Sequence, residues 1–287
     1  MEHRGSHRAS GYTGAIALLP DEIPALTRVV QGLAVYDVVA PTFYGLTIPA
    51  ERQSEIHIRP TEKLLERVHA MDDRPLSIAR PVDKRLVSRC RHFVLLLLGM
   101  LRAKQIPARA RCGFGSYFNP PYFEDHWVCE YWNAAEARWI LADPQIDEVW
   151  RTQLRIDHDV LNVPRDRFLV AADAWTRCRA GDADPARFGI QFGGLRGLWF
   201  VAGNLIRDLA ALNKVEMLPW DVWGAQPRSD DPLDDELLVF FDGLAELTRE
   251  PDVAFDDLRE LYASDERVRV PQTVFNAIAN RPEPSEA

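Results

Sequence analysis

The strongest constraint in this sequence is the stretch between Ser88 and Pro107. Apolar residues recur there at Cys90, Phe93, Val94, Leu97 and Leu101, the spacing of one helix face. Ser88 is a suitable N-cap, and Ile106-Pro107 stops the helix because the residue before a proline avoids helical dihedrals. Three strand-like runs follow at 108–114, 126–132 and 138–143, the last two joined by Asn133-Ala134-Ala135-Glu136-Ala137. Strands at hairpin spacing, with no crossover helix between them, pair antiparallel. A helix feeding such a meander predicts an α+β fold, the helix packed on an antiparallel sheet.

Around this centre the patterning is helical. Residues 22–39 and 61–69 read as helices, the second capped by Thr61, while 72–81 is a proline-punctuated loop and 1–20 is loosely ordered. Beyond Arg151 the helical period returns, at 195–212 and 236–248. The expected organisation is an N-terminal helical or irregular segment at 1–60, a core at 61–155 and a mainly helical extension at 156–287.

Charge narrows the partners. The net charge is −9, and 14 acidic residues against 2 basic ones fall within 230–266, so a solvated acidic helical face is expected there. An acidic chain is a poor match for nucleic acid or an anionic membrane surface. The longest apolar run, at 93–101, is too short to span a bilayer, and residues 1–6 lack a signal peptide's apolar stretch. A cytoplasmic protein is expected, with Cys90, Cys112, Cys129 and Cys178 as thiols. None of them forms a C-x-x-C pair.

Cys90 stands out by position. With Ser88 as cap it takes the second helical position, among unpaired backbone N–H groups at the positive end of the dipole, where a thiol's pKa falls. Arg89 and Arg91 flank it and push the same way. In the meander, pairing Tyr131 with Arg138 sets His126 opposite Asp143 on one face, at a Cβ separation of about 4.5–5.5 Å. A thiol, an imidazole and a carboxylate that fixes the imidazole tautomer together form an activated nucleophile. Each residue alone has an ordinary reading: a buried thiol, a surface histidine and a turn aspartate.

The same residues carry a resemblance. Cys90 with its apolar helix and the run Leu101-Arg102-Ala103-Lys104-Gln105-Ile106-Pro107-Ala108-Arg109 resembles the nucleophile helix of the transglutaminase-like superfamily, in its bacterial-type domain proteins. Residues 125–132 resemble that family's histidine strand and 139–144 its aspartate strand, in the family's order and over about a quarter of the chain. The resemblance implies a papain-like core and acyl transfer or hydrolysis through a Cys90 thioester, acting on a peptide, amide or acyl-thioester. In that scheme His126 moves the proton, Asp143 holds the imidazole, and the Cys90 backbone N–H helps stabilise the oxyanion; no cofactor is needed.

The sequence also departs from the family. Gln105 stands where a glycine is common, Arg89 and Arg91 replace the Gln and Trp that flank the nucleophile in animal transglutaminases, and no tryptophan precedes Trp127. The alternative is a catalytically inactive binding module of the same fold. A metal protein ligated by Cys90, His126 and Asp143 ranks third.

Other features take plainer readings. Cys112 and Cys129 are expected as core thiols, His92 as a surface residue, and Asp157-His158-Asp159 as a solvated turn; no metal is expected. Gly189, Gly193, Gly194 and Gly197 fit no phosphate-loop pattern and are expected in backbone packing or a turn. Trp220 and Trp223 are expected to anchor the helical half, with Trp127, Trp220 and Trp223 as weak substrate-pocket candidates.

Overall fold

The computed structural model describes residues 10–229 and 231–286. The N-terminal residues read above for a signal peptide lie outside these. The fold is α+β and separates into two compact units, each made of two stretches of chain. One holds Met1–Ala110 and Val128–Pro164, the other Arg111–Trp127 and Arg165–Ala287. This differs from the three consecutive segments expected at 1–60, 61–155 and 156–287. The division runs through the middle of two long strands, where composition does not change.

The first unit is built on one helix buried over all but its last two residues. It contains α1 (Thr13–Ala17), α2 (Ile23–Leu33), β1 (Ala34–Tyr36), α3 (Ala40–Tyr44), α4 (Thr61–Met71), β2 (Leu86–Ser88) and α5 (Cys90–Ala103). It also holds the start of β3 (Ala108–Gly115), the second half of β4 (Phe123–Asn133), β5 (Arg138–Ala142) and α6 (Glu148–Leu154). Order begins earlier than expected, since α1 lies within 1–20 and buries Ile16. The helix expected over 22–39 stops at Leu33, where Ala34-Val35-Tyr36 extends as a strand. Cross-strand pairing outweighs helix period there: β1 runs parallel to β2, Ala34 beside Leu86 and Tyr36 beside Ser88. The cap of α4 is Pro60, and Thr61 is its buried first residue.

Every residue of α5 from Cys90 to Leu101 is buried, so the apolar stripe is one side of a helix covered on all sides. Its packing partners in this unit are α1, α2, α4 and the β1–β2 pair. The helix ends in a Schellman motif: the Ile106 N–H donates to the Leu101 carbonyl (2.9 Å) and the Gln105 N–H to the Arg102 carbonyl (3.1 Å). Gln105 is left-handed, with φ 61°. The conformation that glycine adopts without strain is thus retained by a residue with a side chain.

The β4–β5 hairpin shifts the expected register by two. Tyr131 pairs with Ile140, and Asn133 pairs with Arg138. The loop is tighter than expected because the Asn133 Oδ1 accepts from the N–H groups of Ala135 (3.0 Å) and Glu136 (3.3 Å), closing an Asx turn. A shift of two preserves side-chain alternation, so the face assigned to each residue stands.

The second unit joins a sheet to a helical bundle. Its remaining elements are β6 (Phe168–Val170), α7 (Ala171–Ala180), β7 (Phe188–Ile190), β8 (Leu195–Arg196), α8 (Leu198–Leu212), β9 (Asp221–Val222), α9 (Asp235–Arg249), α10 (Phe255–Ser264), β10 (Thr273–Asn276) and β11 (Arg281–Pro284). The end of β3 pairs antiparallel with β6, but the start of β4 pairs parallel with β7, Phe123 beside Phe188. The sheet is therefore mixed, where an antiparallel one was expected. A three-residue strand far downstream gives no signal that it returns beside β4.

Helices α7, α8 and α9 pack on one another, and β9, β10 and β11 form a small antiparallel sheet. Beneath α8 lies a buried ion pair. The Asp208 carboxylate accepts from Arg111 Nη2 (2.8 Å) and from the Cys112 N–H (2.8 Å), and Arg111 Nη2 also donates to the Thr248 carbonyl (2.8 Å). The glycines noted above serve the backbone. Gly189 has φ 146° and faces the Leu195 carbonyl so closely that a Cβ would lie 2.1 Å from it, and Gly194 turns the β7–β8 hairpin at φ 66°.

Candidate active site

Cys90 is the first residue of α5, one position earlier than a Ser88 cap implied, because Arg89 is the N-cap. The cause is His92. Its Nδ1 accepts the Arg89 N–H (3.0 Å), the reciprocal half of a capping box with histidine in place of the usual Glu or Gln. Its Nε2 then carries the hydrogen and lies 3.2 Å from the Ile58 carbonyl. His92 is thus wholly buried where a surface residue was expected, because α5 has no solvent face. Burial, reinforced by the Arg91 charge, lowers its pKa to about 3 and keeps the ring neutral. Arg91 is buried as well, with Nη2 donating to the Arg59 carbonyl (2.8 Å).

Arg89 is held in place. Its Nε is 2.5 Å from the Asp37 Oδ1, and its guanidinium lies 5.6 Å from the Tyr36 ring centroid. Burial works against the Arg89 charge, but Tyr36 and Asp37, with a contribution from Cys90, outweigh it and raise its pKa. The Asp37 carboxyl is raised by burial, which Arg89 offsets only in part. The Asp37 N–H donates to the Ser88 carbonyl (3.2 Å), so the β1–β2 pair fixes the approach to the helix. Glu55 anchors the other side of β2. It accepts the Val87 N–H (2.8 Å) and bonds from Arg52 (2.9 Å) and Arg67 (2.7 Å). Burial would raise the Glu55 carboxyl, but the Arg52, Val87 and Arg67 bonds together hold it below the ordinary range.

Asp143 follows β5 in the same unit and is fully buried. Its N–H donates to the Val160 carbonyl (2.7 Å), and its Oδ1 accepts the Gln145 N–H (3.1 Å). Continuing the β4–β5 register from the Cys129–Ala142 pair would set Asp143 beside Val128, where direct opposition to His126 was expected. The two-residue shift in the turn accounts for this correction.

His126 belongs to the second unit, on the first half of β4, and is 2% exposed. Three rings surround its imidazole: Phe118 at 4.6 Å between centroids, Tyr117 at 6.2 Å and Phe168 at 6.3 Å, all edge-on. The neighbouring Asp125 accepts from Asn204 Nδ2 (2.7 Å), and Asn204 Oδ1 accepts from the buried Arg207 (2.8 Å). Burial raises the Asp125 carboxyl against the Arg207 charge.

The aromatic candidates divide. Trp127 is fully buried with an indole N–H that has no partner among the described residues, and Trp223 is buried with its indole N–H on the Val268 carbonyl (3.0 Å). Both are core anchors in the second unit. Trp220 is half-buried beside β9. Cys112 and Cys129 are buried thiols whose pKa burial pushes up, and burial pushes the half-buried Cys178 to about 11. At 157–159, the Asp159 Oδ1 accepts the Leu161 N–H (2.8 Å), an Asx turn, but only the aspartates are solvated: the His158 side chain is buried where a wholly solvated turn was expected. Among the described residues no group of three or more His, Cys, Asp or Glu side chains could hold a metal ion, and no helix is long and apolar enough to cross a membrane.

Sequence reasoning missed Tyr36, Asp37, Glu55 and the role of His92. Tyr36 and Asp37 act through the β1–β2 pairing, which joins segments about fifty residues apart, and Glu55 through its bond to the Val87 N–H; neither leaves a local pattern. Searched against family models, curated proteins and solved structures, the chain has no match.

Proposed function

We propose that the protein is a cysteine-dependent enzyme of the transglutaminase-like type, transferring or hydrolysing an acyl group of an amide or thioester. The observation that carries this reading is the position of Cys90 at the first turn of α5, beside an anchored arginine. The helix dipole there favours negative charge on sulfur and on a developing oxyanion. In the proposed cycle His126 takes the Cys90 proton and the sulfur attacks the acyl carbon. The leaving amine or thiol departs with that proton, and Asp143 keeps the imidazole oriented. Water or an amine then attacks the thioester, the sulfur leaves, and His126 carries the acceptor's proton back to it.

A specific observation favours the alternative, an inactive binding module. Cys90 is 6% exposed, His126 2% and Asp143 0%, so substrate has little open access. The test is the rate of iodoacetamide labelling at Cys90, read by peptide mass spectrometry in wild type and His126→Ala. Labelling that is fast below about pH 7 and slows in the variant supports the enzyme. Labelling that rises only near the free-thiol value of about 8.5, unchanged by the substitution, removes it in favour of the binding module.

A further inference from the structure

The loop between β3 and β4 brings one residue onto the His126 ring. Gly115 ends β3, and a Cβ there would lie 2.7 Å from Phe118 Cε2 and 3.2 Å from the Tyr117 ring. A side chain at this position would push on the Phe118 ring, so the glycine leaves it room to lie against the strand. The Ser116 N–H donates to the Arg167 carbonyl (2.9 Å), and the Tyr122 N–H to the Asn119 carbonyl (2.9 Å), fixing both ends of the turn. Phe118 then packs on Tyr117 at 4.5 Å and on His126 at 4.6 Å, its ring inclined 62° to the imidazole. Of the three rings around His126, Tyr117 and Phe168 are buried, whereas Phe118 is half-buried.

We propose that Phe118 is the positioning residue for His126, its ring closing the solvent side of the imidazole and fixing the ring plane. A proton-carrying imidazole must keep both nitrogens aimed while its charge changes. Edge-on aromatic rings restrain it without occupying either nitrogen, and they exclude water that would compete for the proton. This role rests on the reading that His126 serves Cys90.

The test uses the full-length protein and diethyl pyrocarbonate, which carbethoxylates accessible imidazole nitrogens, quantified by peptide mass spectrometry. Exposed His69 is the internal reference. Phe118→Ala should raise the His126 rate about tenfold, the release expected from losing one edge-on ring contact. His69 should stay unchanged, and Phe118→Tyr should restore the wild-type rate. Cys90 labelling by iodoacetamide should slow in Phe118→Ala and recover in Phe118→Tyr. An unchanged His126 rate in Phe118→Ala overturns the proposal, as does an equal rise in both variants, which would report a general loosening of the fold. The His126→Ala variant separates the two ideas. If it leaves Cys90 labelling unaltered, the enzyme reading fails, while the carbethoxylation rates still report on Phe118.

Discussion

His92 makes the start of α5 sensitive to acid, by an amount that follows from its surroundings. In the folded chain its pKa is about 3, because burial disfavours the charged ring and the Arg91 and Arg89 charges add to that. In the unfolded chain an ordinary histidine titrates near 6.5, at about 1.4 kcal/mol per unit of difference. Above that value both states hold a neutral ring and the full stability is present. As the pH falls through 6.5 towards 3 the unfolded chain binds a proton that the folded chain refuses, so stability is lost. At about pH 4 the loss reaches about 3 kcal/mol, a large share of the roughly 5–15 kcal/mol that holds a domain together.

The assay is urea unfolding followed by circular dichroism near pH 7 and near pH 4, in wild type and His92→Gln. Glutamine keeps an acceptor at the third helical position for the Arg89 N–H but carries no titrating group. Carboxylates elsewhere titrate in both proteins, so the difference between their pH dependences isolates His92. Wild type should lose about 3 kcal/mol more than the variant over this range. Equal losses would refute both the neutral, buried assignment of the ring and its part in capping the helix.

Two further outcomes are expected. Asp208→Asn should cost about 3–5 kcal/mol in the same urea assay, because it leaves the buried Arg111 guanidinium without its counter-charge; replacing both residues with apolar ones of similar volume should recover most of that loss. Gln105→Gly should raise the midpoint of thermal unfolding by relieving a left-handed side chain, a net gain of up to about 1 kcal/mol after glycine's greater freedom in the unfolded chain is subtracted.

The core elements were legible wherever the pattern was local. The apolar spacing from Cys90 to Leu101, the Ile106-Pro107 stop and the three strand runs each mark an element found close to its expected bounds. What could not be read depends on partners distant in sequence. Arg91 and His92 look like a solvent face until α2 and α4 cover the helix. β7 gives no hint that it returns parallel to β4. The hairpin register turned on one Asn133 side chain, and the helix cap on one imidazole nitrogen. For the candidate site, Cys90 could be read because a helix start is a local event. Its supports Asp37 and Glu55 could not, since they reach it only through contacts with β2 and partly buried ion pairs.

The division of the chain has a bearing on synthesis. Neither compact unit is a continuous stretch, so the usual order in which an N-terminal domain finishes folding before the next emerges does not apply. When translation of the helix bearing Cys90 ends, β5 and the 156–164 segment that completes its unit are still untranslated, and about sixty residues remain to be added. At typical elongation rates that gap lasts on the order of 3–10 s, during which a helix destined to be buried from Cys90 to Leu101 lacks part of its cover. Chaperone dependence and the effect of codon choice should therefore concentrate in that interval, and shortened variants that stop before residue 164 should aggregate.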